Sequence, residues 1–291
     1  MRSDRLVRVC VGGGLGNQLF QYAYAIAVAE LNDAPIEVDT RFCPLPGAQE
    51  PYRHGLCGVG FFPISARILP TRGRHLWQRL ATKVEDSRFQ TVVDVGAQYL
   101  PELMPALGRR WLIKGLMQSY RYFDSVRERV SQELDPCALL AGLPADLVAL
   151  ASAPSTCAVH VRRGDYLTHS VMNLPRMPDY YQSAIMRTES EQPNTHFLIF
   201  SDDPRWCQEA FANLSVRSEV VATSHPNLNA LQDFALMAQA PRMIMANSTF
   251  SWWAAWLGPA GKTVTAPARW SNNDNRYFDD LIPPHWQRIS F

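Results

Sequence analysis

The stretch "LVRVCVGGGLGNQLFQYAYAIAVAELNDAPIEVD", Leu6 to Asp39, decides the fold. Leu6 to Val11 is a β-compatible apolar run. Three glycines, Leu15 and a fourth glycine then lead into a helix over about Asn17 to Leu31, and "PIEVD" (Pro35 to Asp39) gives a second strand. From Leu19 to Ala29 only Gln21 is clearly polar, so this helix should be covered on most sides. A strand, a glycine turn, a buried helix and a strand predict an α/β unit with parallel strands.

The turn invites a dinucleotide reading, with Asp39 as the ribose partner, but the G-x-G-x-x-G spacing fails. Counted from Gly12 the third glycine falls on Asn17, and counted from Gly14 it falls on Leu19. No Lys-Ser or Lys-Thr follows, so a P-loop is excluded as well. What survives is a set of backbone N–H groups at a helix start, with small residues that let an anion or a sugar approach. A tight turn that holds nothing is the plain alternative. Asn17 and Gln18 favour a polar ligand, because two carboxamides at a helix start can contact it.

The chain of 291 residues has room for two ordinary domains, and with 47% hydrophobic and 19% charged residues it can bury a sizeable core. A net charge of +1 supplies no field toward nucleic acid or a membrane surface, so any anion must be held by a local site. The six cysteines show no metal-like spacing and read as reduced thiols. The N-terminus has no export signal and no run of about 18 apolar residues occurs, so a cytoplasmic protein without a transmembrane segment is expected.

In the second half, "TCAVHV" (Thr156–Val161), "HFLIFS" (His196–Ser201), "SEVVAT" (Ser218–Thr223), "RMIMA" (Arg242–Ala246) and "KTVTAP" (Lys262–Pro267) are short apolar runs. Helical stretches lie between them, near 179–190, 204–213, 228–240 and 250–257. Apolar strands alternating with helices indicate a parallel sheet covered on both faces. The boundary is expected around residues 140 to 154, giving domains 1–150 and 151–291.

Three motifs carry chemistry. "HVRRGDY" (His160–Tyr166) leaves a buried strand at its carboxyl end, where open α/β sheets bind ligands. One arginine there can grip a phosphate with two parallel bonds, and Arg162 lies on the same side of the strand as His160. A solvated Arg–Asp ion pair is the alternative. "FSDDP" reads more simply as an N-cap at Asp203 with Pro204 in the first helical turn than as a metal site. "ANSTFSWWAAW" places Ser248 and Thr249 at a helix start, where hydroxyls and N–H groups can meet an anion. Trp252, Trp253 and Trp256 read as core. Upstream, Asp233 is a lone carboxylate in an apolar helix and needs donors, which a guanine's N1–H and amine would supply.

The set "GGGLGNQLFQYAYA", "HVRRGDY" and "NSTFSWW", in this order, resembles the bacterial α-1,2-fucosyltransferases, a glycosyltransferase family 11-like set with an H-x-R-R-x-D motif, over essentially the whole chain. The resemblance implies a GT-B-like fold of two Rossmann-like domains facing a central cleft. The donor, GDP-β-L-fucose, would be held mainly by the C-terminal domain. It also implies inversion at the anomeric carbon and no required metal or other cofactor. Arg162 matches the arginine on the donor diphosphate and His160 a neighbouring donor-site residue. Asp233 matches the guanine-reading carboxylate, and Ser248 and Thr249 the diphosphate-binding hydroxyls. Gly14, Asn17 and Gln18 form a turn that closes over the fucosyl-diphosphate end.

Such a transfer needs charge on the leaving group met and the acceptor hydroxyl deprotonated. Arg162 serves the first need. Asp165, His169 and His160 are the candidates for the second, with Asp165 favoured, although it can equally be a structural partner of Arg163. The acceptor is expected to be a galactose-type residue of a glycan, chosen by residues 40 to 120, with Tyr52, Trp77 and the adjoining Arg121 as possible contacts. A dinucleotide oxidoreductase and a sugar-binding protein without catalysis are the rivals. The broken glycine spacing counts against the first and the paired arginines against the second.

Overall fold

The structure is a computed structural model that describes residues 4–43, 57–69, 83–94, 96–105, 108, 110–272 and 278–291. The chain forms two α/β units. One comprises Met1–Asp135 with Tyr277–Leu281, the other Pro136–Arg276 with Ile282–Phe291. The division falls ahead of the 140–154 stretch where composition places it. The reason is packing: the helix Ala145–Ser152 lies against the second unit's own strand and helix.

In the first unit β1 (Leu6–Gly12) runs into α1 (Leu15–Asn32) and then β2 (Ile36–Phe42). The strands β3 (Arg67–Leu69), β4 (Gln90–Asp94) and β5 (Arg110–Gly115) complete a parallel sheet of order β3-β2-β1-β5-β4. All of α1 is buried except Asn17, Glu30 and Leu31. Its core face carries aromatic contacts: Tyr24 meets Tyr122 edge-on at 5.1 Å, and Phe20 meets Phe123 at 6.0 Å. A short helix α2 (Arg127–Glu133) packs behind it, and its buried Glu133 accepts from the Tyr22 phenol, the Ser65 hydroxyl and Arg129. The returning segment is fastened by Asp280, which accepts from the Tyr99 N–H and pairs with Arg121, both at 2.9 Å.

The second unit begins with α3 (Ala145–Ser152) and β6 (Thr156–Val161), every residue of which is buried. Then come α4 (Met177–Glu191), β7 (His196–Ser201), α5 (Pro204–Phe211) and β8 (Arg217–Val220). The chain continues through α6 (Ala230–Gln239), β9 (Arg242–Ile244), α7 (Thr249–Trp256), β10 (Thr263–Pro267) and β11 (Gln287–Ile289). The sheet is parallel, with order β11-β10-β9-β6-β7-β8. The expected strand "SEVVAT" stops at Val220, and the chain makes one helical turn over Val221–Ser224. Trp252, Trp253 and Trp256 are core residues, packed on one another and on Trp286 at ring distances of 5.1–6.2 Å. Lys262 closes the carboxyl ends of α6 and α7, its ammonium donating to the carbonyls of Met237, Ala238 and Ala254.

Among the described residues no helix is long and apolar enough to cross a membrane. No disulfide links the six cysteines.

Both sheets start on a central strand, extend to one side and return to the other, which leaves a crevice at the carboxyl ends between β1 and β5 and between β6 and β9. In the first unit Gln21 bridges that crevice. Its Oε1 accepts from the Gly12 N–H and its Nε2 donates to the Gly115 carbonyl, both at 2.9 Å. Leucine at this position keeps the volume and strands both backbone groups. Gln21→Leu should therefore cost about 2–4 kcal/mol, read as a lower urea midpoint at unchanged slope.

Candidate functional site

The crevice of the second sheet is built from the residues that follow β6, β7 and β9. The register aligns Val161 with Ser201, so the next residues, Arg162 and Asp202, leave neighbouring strands at the same level. Their side chains meet: Arg162 Nη1 lies 2.9 Å from Asp202 Oδ2. The other nitrogen, Nη2, donates to Asp165 Oδ1 at 2.6 Å. The guanidinium also lies 5.5 Å from the centre of the Tyr166 ring.

Arg163 is committed elsewhere. Its Nε donates to Asp203 at 3.0 Å and its guanidinium stacks 4.0 Å over Trp206, which ties the loop to α5. Asp203 also caps α5, accepting from the Trp206 N–H, in agreement with the N-cap reading of "FSDDP". Asp202 takes the backbone N–H of Arg163 at 2.9 Å on its second oxygen. A Cβ at Gly164 would lie 2.6 Å from Asp202 Oδ2, so a larger residue there would displace that carboxylate. The carboxylates after β7 are thus held by arginines. Among the described residues no group of three or more His, Cys, Asp or Glu side chains is arranged to hold a metal ion.

Tyr166 connects the arginine loop to the start of α7. Burial pushes its phenol up to about 12, so it stays protonated, and it hydrogen-bonds the Ser248 hydroxyl. Ser248 is the N-cap residue of α7 in an extended conformation, yet its side chain does not cap the helix. Arg162 and the amino end of α7, where Thr249 is the first helical residue, are therefore joined through one aromatic ring. These groups put positive charge and N–H dipoles at one strand-end crevice, an arrangement suited to an anion.

The ring of His160 is buried and sits 5.5 Å from Phe250, which in turn meets Phe234 edge-on at 5.3 Å. Burial, with the Arg162 charge beside it, pushes the imidazole down to about 3, and its Nδ1 has no hydrogen-bond partner. It is a neutral ring. Asp233 is the residue before Phe234 on α6. Burial pushes its carboxyl up to about 7, and among the described residues nothing pairs with it.

The structure reassigns several side chains. Asp165 is the partner of Arg162, not of Arg163. His169 accepts the N–H groups of Val171 and Met172 on Nδ1, both at 3.2 Å, so the proton of its neutral ring sits on Nε2. That ring has no lone pair left for a substrate proton. Gln18 is fully buried with its amide consumed internally: Nε2 donates to the Gly13 carbonyl, and Oε1 accepts from Gly58 at 2.7 Å and from Val59. It shapes the glycine turn instead of offering its amide to a ligand. Asn17 accepts from Gln118 at 2.8 Å. Asp39 is held by Arg41, which removes the ribose partner of the dinucleotide reading. Arg121 is spent on Asp280 and stacked over Tyr99 at 4.4 Å. Tyr52 and Trp77 lie outside the described residues.

Glycine at 13 is needed for a left-handed φ of 76°. Gly14 is not needed in that sense: its backbone is extended, it is exposed, and a Cβ would meet nothing within 4 Å. Asp202 and Asn247 are the residues that motif reading missed. Asn247 is buried and donates to the Met172 and Trp270 carbonyls at 3.1 and 2.9 Å, pinning the loop beyond Tyr166. Strand register carries the signal for Asp202. Asn247 has only its place one residue before the helix cap.

This chain is similar to known proteins along most of its length. It is 28% identical to an alpha-1,2-colitosyltransferase of Escherichia coli, covering 96% of this chain and 97% of that one. With the mouse (Mus musculus) galactoside alpha-(1,2)-fucosyltransferase 2 it shares 26% identity over 95% of this chain and 76% of the other. A structure of an Arabidopsis thaliana FUT1 variant in complex with GDP matches with a TM-score of 0.53 and 14% identity, over 96% of this chain and 74% of that chain, which makes the fold GT-B-like. The family model for glycosyl transferase family 11 matches residues 104–290. That match, over more than half of a chain with a GT-B-like fold, makes this protein a member of glycosyl transferase family 11.

Proposed function

We propose that the protein transfers L-fucose from GDP-β-L-fucose to the 2-hydroxyl of a galactose-type residue in a glycan, with inversion and without a metal. The observation that carries the reading is Arg162, joined through Tyr166 to the start of α7 at the strand-end crevice. As the bond between the sugar and the diphosphate breaks, negative charge grows on the leaving oxygen. A fixed guanidinium and helix N–H groups meet it in place, which is the role a metal otherwise fills. His160 and Phe250 form the wall beside the nucleotide, and Asp233 receives the guanine N1–H and amine. Ser248 and Thr249 take the diphosphate. Gly14 and Asn17 are assigned to the donor as well, on the exposure of the glycine turn and the open space at Gly14. The same reading keeps the protein in the cytoplasm.

GDP release measured with and without lactose in EDTA tests the core of this. Wild-type turnover should survive the chelator and be stimulated by the galactoside. Arg162→Ala should lose about 2.7–4 kcal/mol of transition-state stabilisation, roughly a hundredfold to a thousandfold in rate. Turnover that needs a divalent ion overturns the metal-free reading. The similarity to the colitosyltransferase favours a second donor. Faster turnover of GDP-colitose than of GDP-fucose would establish it.

Asp233 gives a pH test. Its carboxyl is raised from 3.8 to about 7, so the folded protein binds this proton more tightly than the unfolded chain. The resulting stability is fully present below 3.8 and is lost as pH rises through 7. Guanine's donors need the carboxylate, so GDP affinity should rise about tenfold from pH 6 to pH 8. Asp233→Asn should bind GDP more weakly, without that rise. An equal slope in both proteins, by calorimetry, would remove Asp233 from the base site.

His169→Asn retains an acceptor where Nδ1 now accepts two N–H groups. It should keep kcat within about threefold of wild type, because the ring holds a loop and moves no proton. A loss of a hundredfold or more would return His169 to the chemistry.

A further inference from the structure

Arg162 sits between two carboxylates that are held very differently. Asp202 follows β7 directly and takes the Arg163 N–H on one oxygen and Arg162 on the other. Asp165 stands on the single 3-10 turn Gly164–Leu167, and among the described residues Arg162 is the one partner of its carboxylate. Their side chains are equally accessible, at 24% and 26%, so tethering and not access separates them.

One guanidinium with two carboxylates carries a net negative charge, which opposes an arriving diphosphate. One carboxylate must give way, and the one with a single tether costs least to move. We infer that Asp165 is a built-in occupant of the Arg162 anion site, displaced by the donor diphosphate and thereby freed to take the acceptor's proton. This rests on the donor assignment above and adds an order to it: donor first, then a competent base.

In the step itself the acceptor O–H bond breaks and its proton passes to the Asp165 carboxylate. The acceptor oxygen forms its bond to the anomeric carbon. The bond from that carbon to the diphosphate oxygen breaks, and its electron pair stays on the GDP oxygen that Arg162 holds. When GDP leaves, Asp165 gives its proton to water and returns to Arg162. Asp202 stays in place throughout and acts as a positioning residue.

The experiment is GDP titration calorimetry together with steady-state transfer to lactose, on the full chain, for wild type, Asp165→Asn and Asp202→Asn. Removing a competing occupant raises the fraction of sites open to GDP, so Asp165→Asn should bind GDP about three- to tenfold more tightly. Its kcat should fall by roughly a hundredfold or more, the range for a lost general base. Asp202→Asn should bind GDP at least tenfold more weakly. Weaker GDP binding in Asp165→Asn would make that residue a second positioner and overturn the inference. Tighter binding with unchanged kcat would equally overturn it, by removing the proton transfer. Either result leaves the donor reading standing, because the wild type still binds GDP. A wild-type chain that binds no GDP defeats the donor reading and this inference together. Asp165→Ser, which keeps the turn but cannot imitate a carboxylate, gives the same contrast if Asp165→Asn folds poorly.

Discussion

The guanidinium of Arg162 organises the carboxyl end of the second sheet. Asp202 comes to it because β6 and β7 are parallel and in register at Val161 and Ser201. Asp165 comes to it on the 3-10 turn Gly164–Leu167, which starts at a glycine that leaves space for the Asp202 carboxylate. Tyr166, on the same turn, reaches the start of α7. A charge placed at one strand end thus sets the path of the loop, the partner on the next strand and the link to the following helix. Arg163 serves the same end from outside, fastening the loop to α5 through Asp203 and Trp206.

The two sheets share the order of their first three strands, differ in how the later strands are added, and use their crevices differently. Both offer a crevice where the chain returns across a central strand. In the first unit carboxamides fill the strand-end region: Gln21 spans Gly12 and Gly115, and Gln18 ties Gly13 to the turn at Gly58. These are neutral groups, hydrogen-bonded to backbone through both nitrogen and oxygen, and they hold the glycine turn in one shape. In the second unit the corresponding crevice carries charges and a neutral histidine. A crevice satisfied by its own amides presents a rigid surface, whereas one held by exchangeable ion pairs can accept an anion in place of a carboxylate.

Much of this was legible in the sequence. Continuous apolar runs marked β6, β7 and β10 because strands covered on both faces need no polar alternation, and the apolar α1 was legible for the same reason. The edge strands β3 and β11 were not, since three residues are too few for a periodic signal. Arg162, Ser248 and Asp233 stood out because charged and hydroxyl residues at strand and helix ends are conspicuous. The partners were harder. Asp202 is 40 residues from Arg162, and only the strand register brings the two together. Gln18 looked like a ligand contact because carboxamides at a helix start can face either way, and the Gly58 N–H that takes it inward lies beyond a stretch with no periodic pattern. His169 looked like a base until the two N–H groups on its Nδ1 assigned its proton.

The electrostatics across the second site run from neutral to charged, and burial sets the direction. Asp233 and His160 are both pushed toward their uncharged forms, and Phe250 lies between the rings of His160 and Phe234. At the other end the Arg162 guanidinium lies between the Asp165 and Asp202 carboxylates. A ligand with a flat, weakly polar base and a charged tail fits that gradient in one orientation only. Reversed, the tail would face a buried carboxyl and an apolar wall, while the base would leave the guanidinium's nitrogens to the carboxylates they already hold. Orientation is therefore decided by desolvation at one end and ion exchange at the other, before any contact to the transferred sugar is made. That division leaves the sugar and the acceptor to be read by groups outside the ion-pair cluster, and it makes the cluster's own state, occupied by Asp165 or by phosphate, the variable on which the chemistry turns.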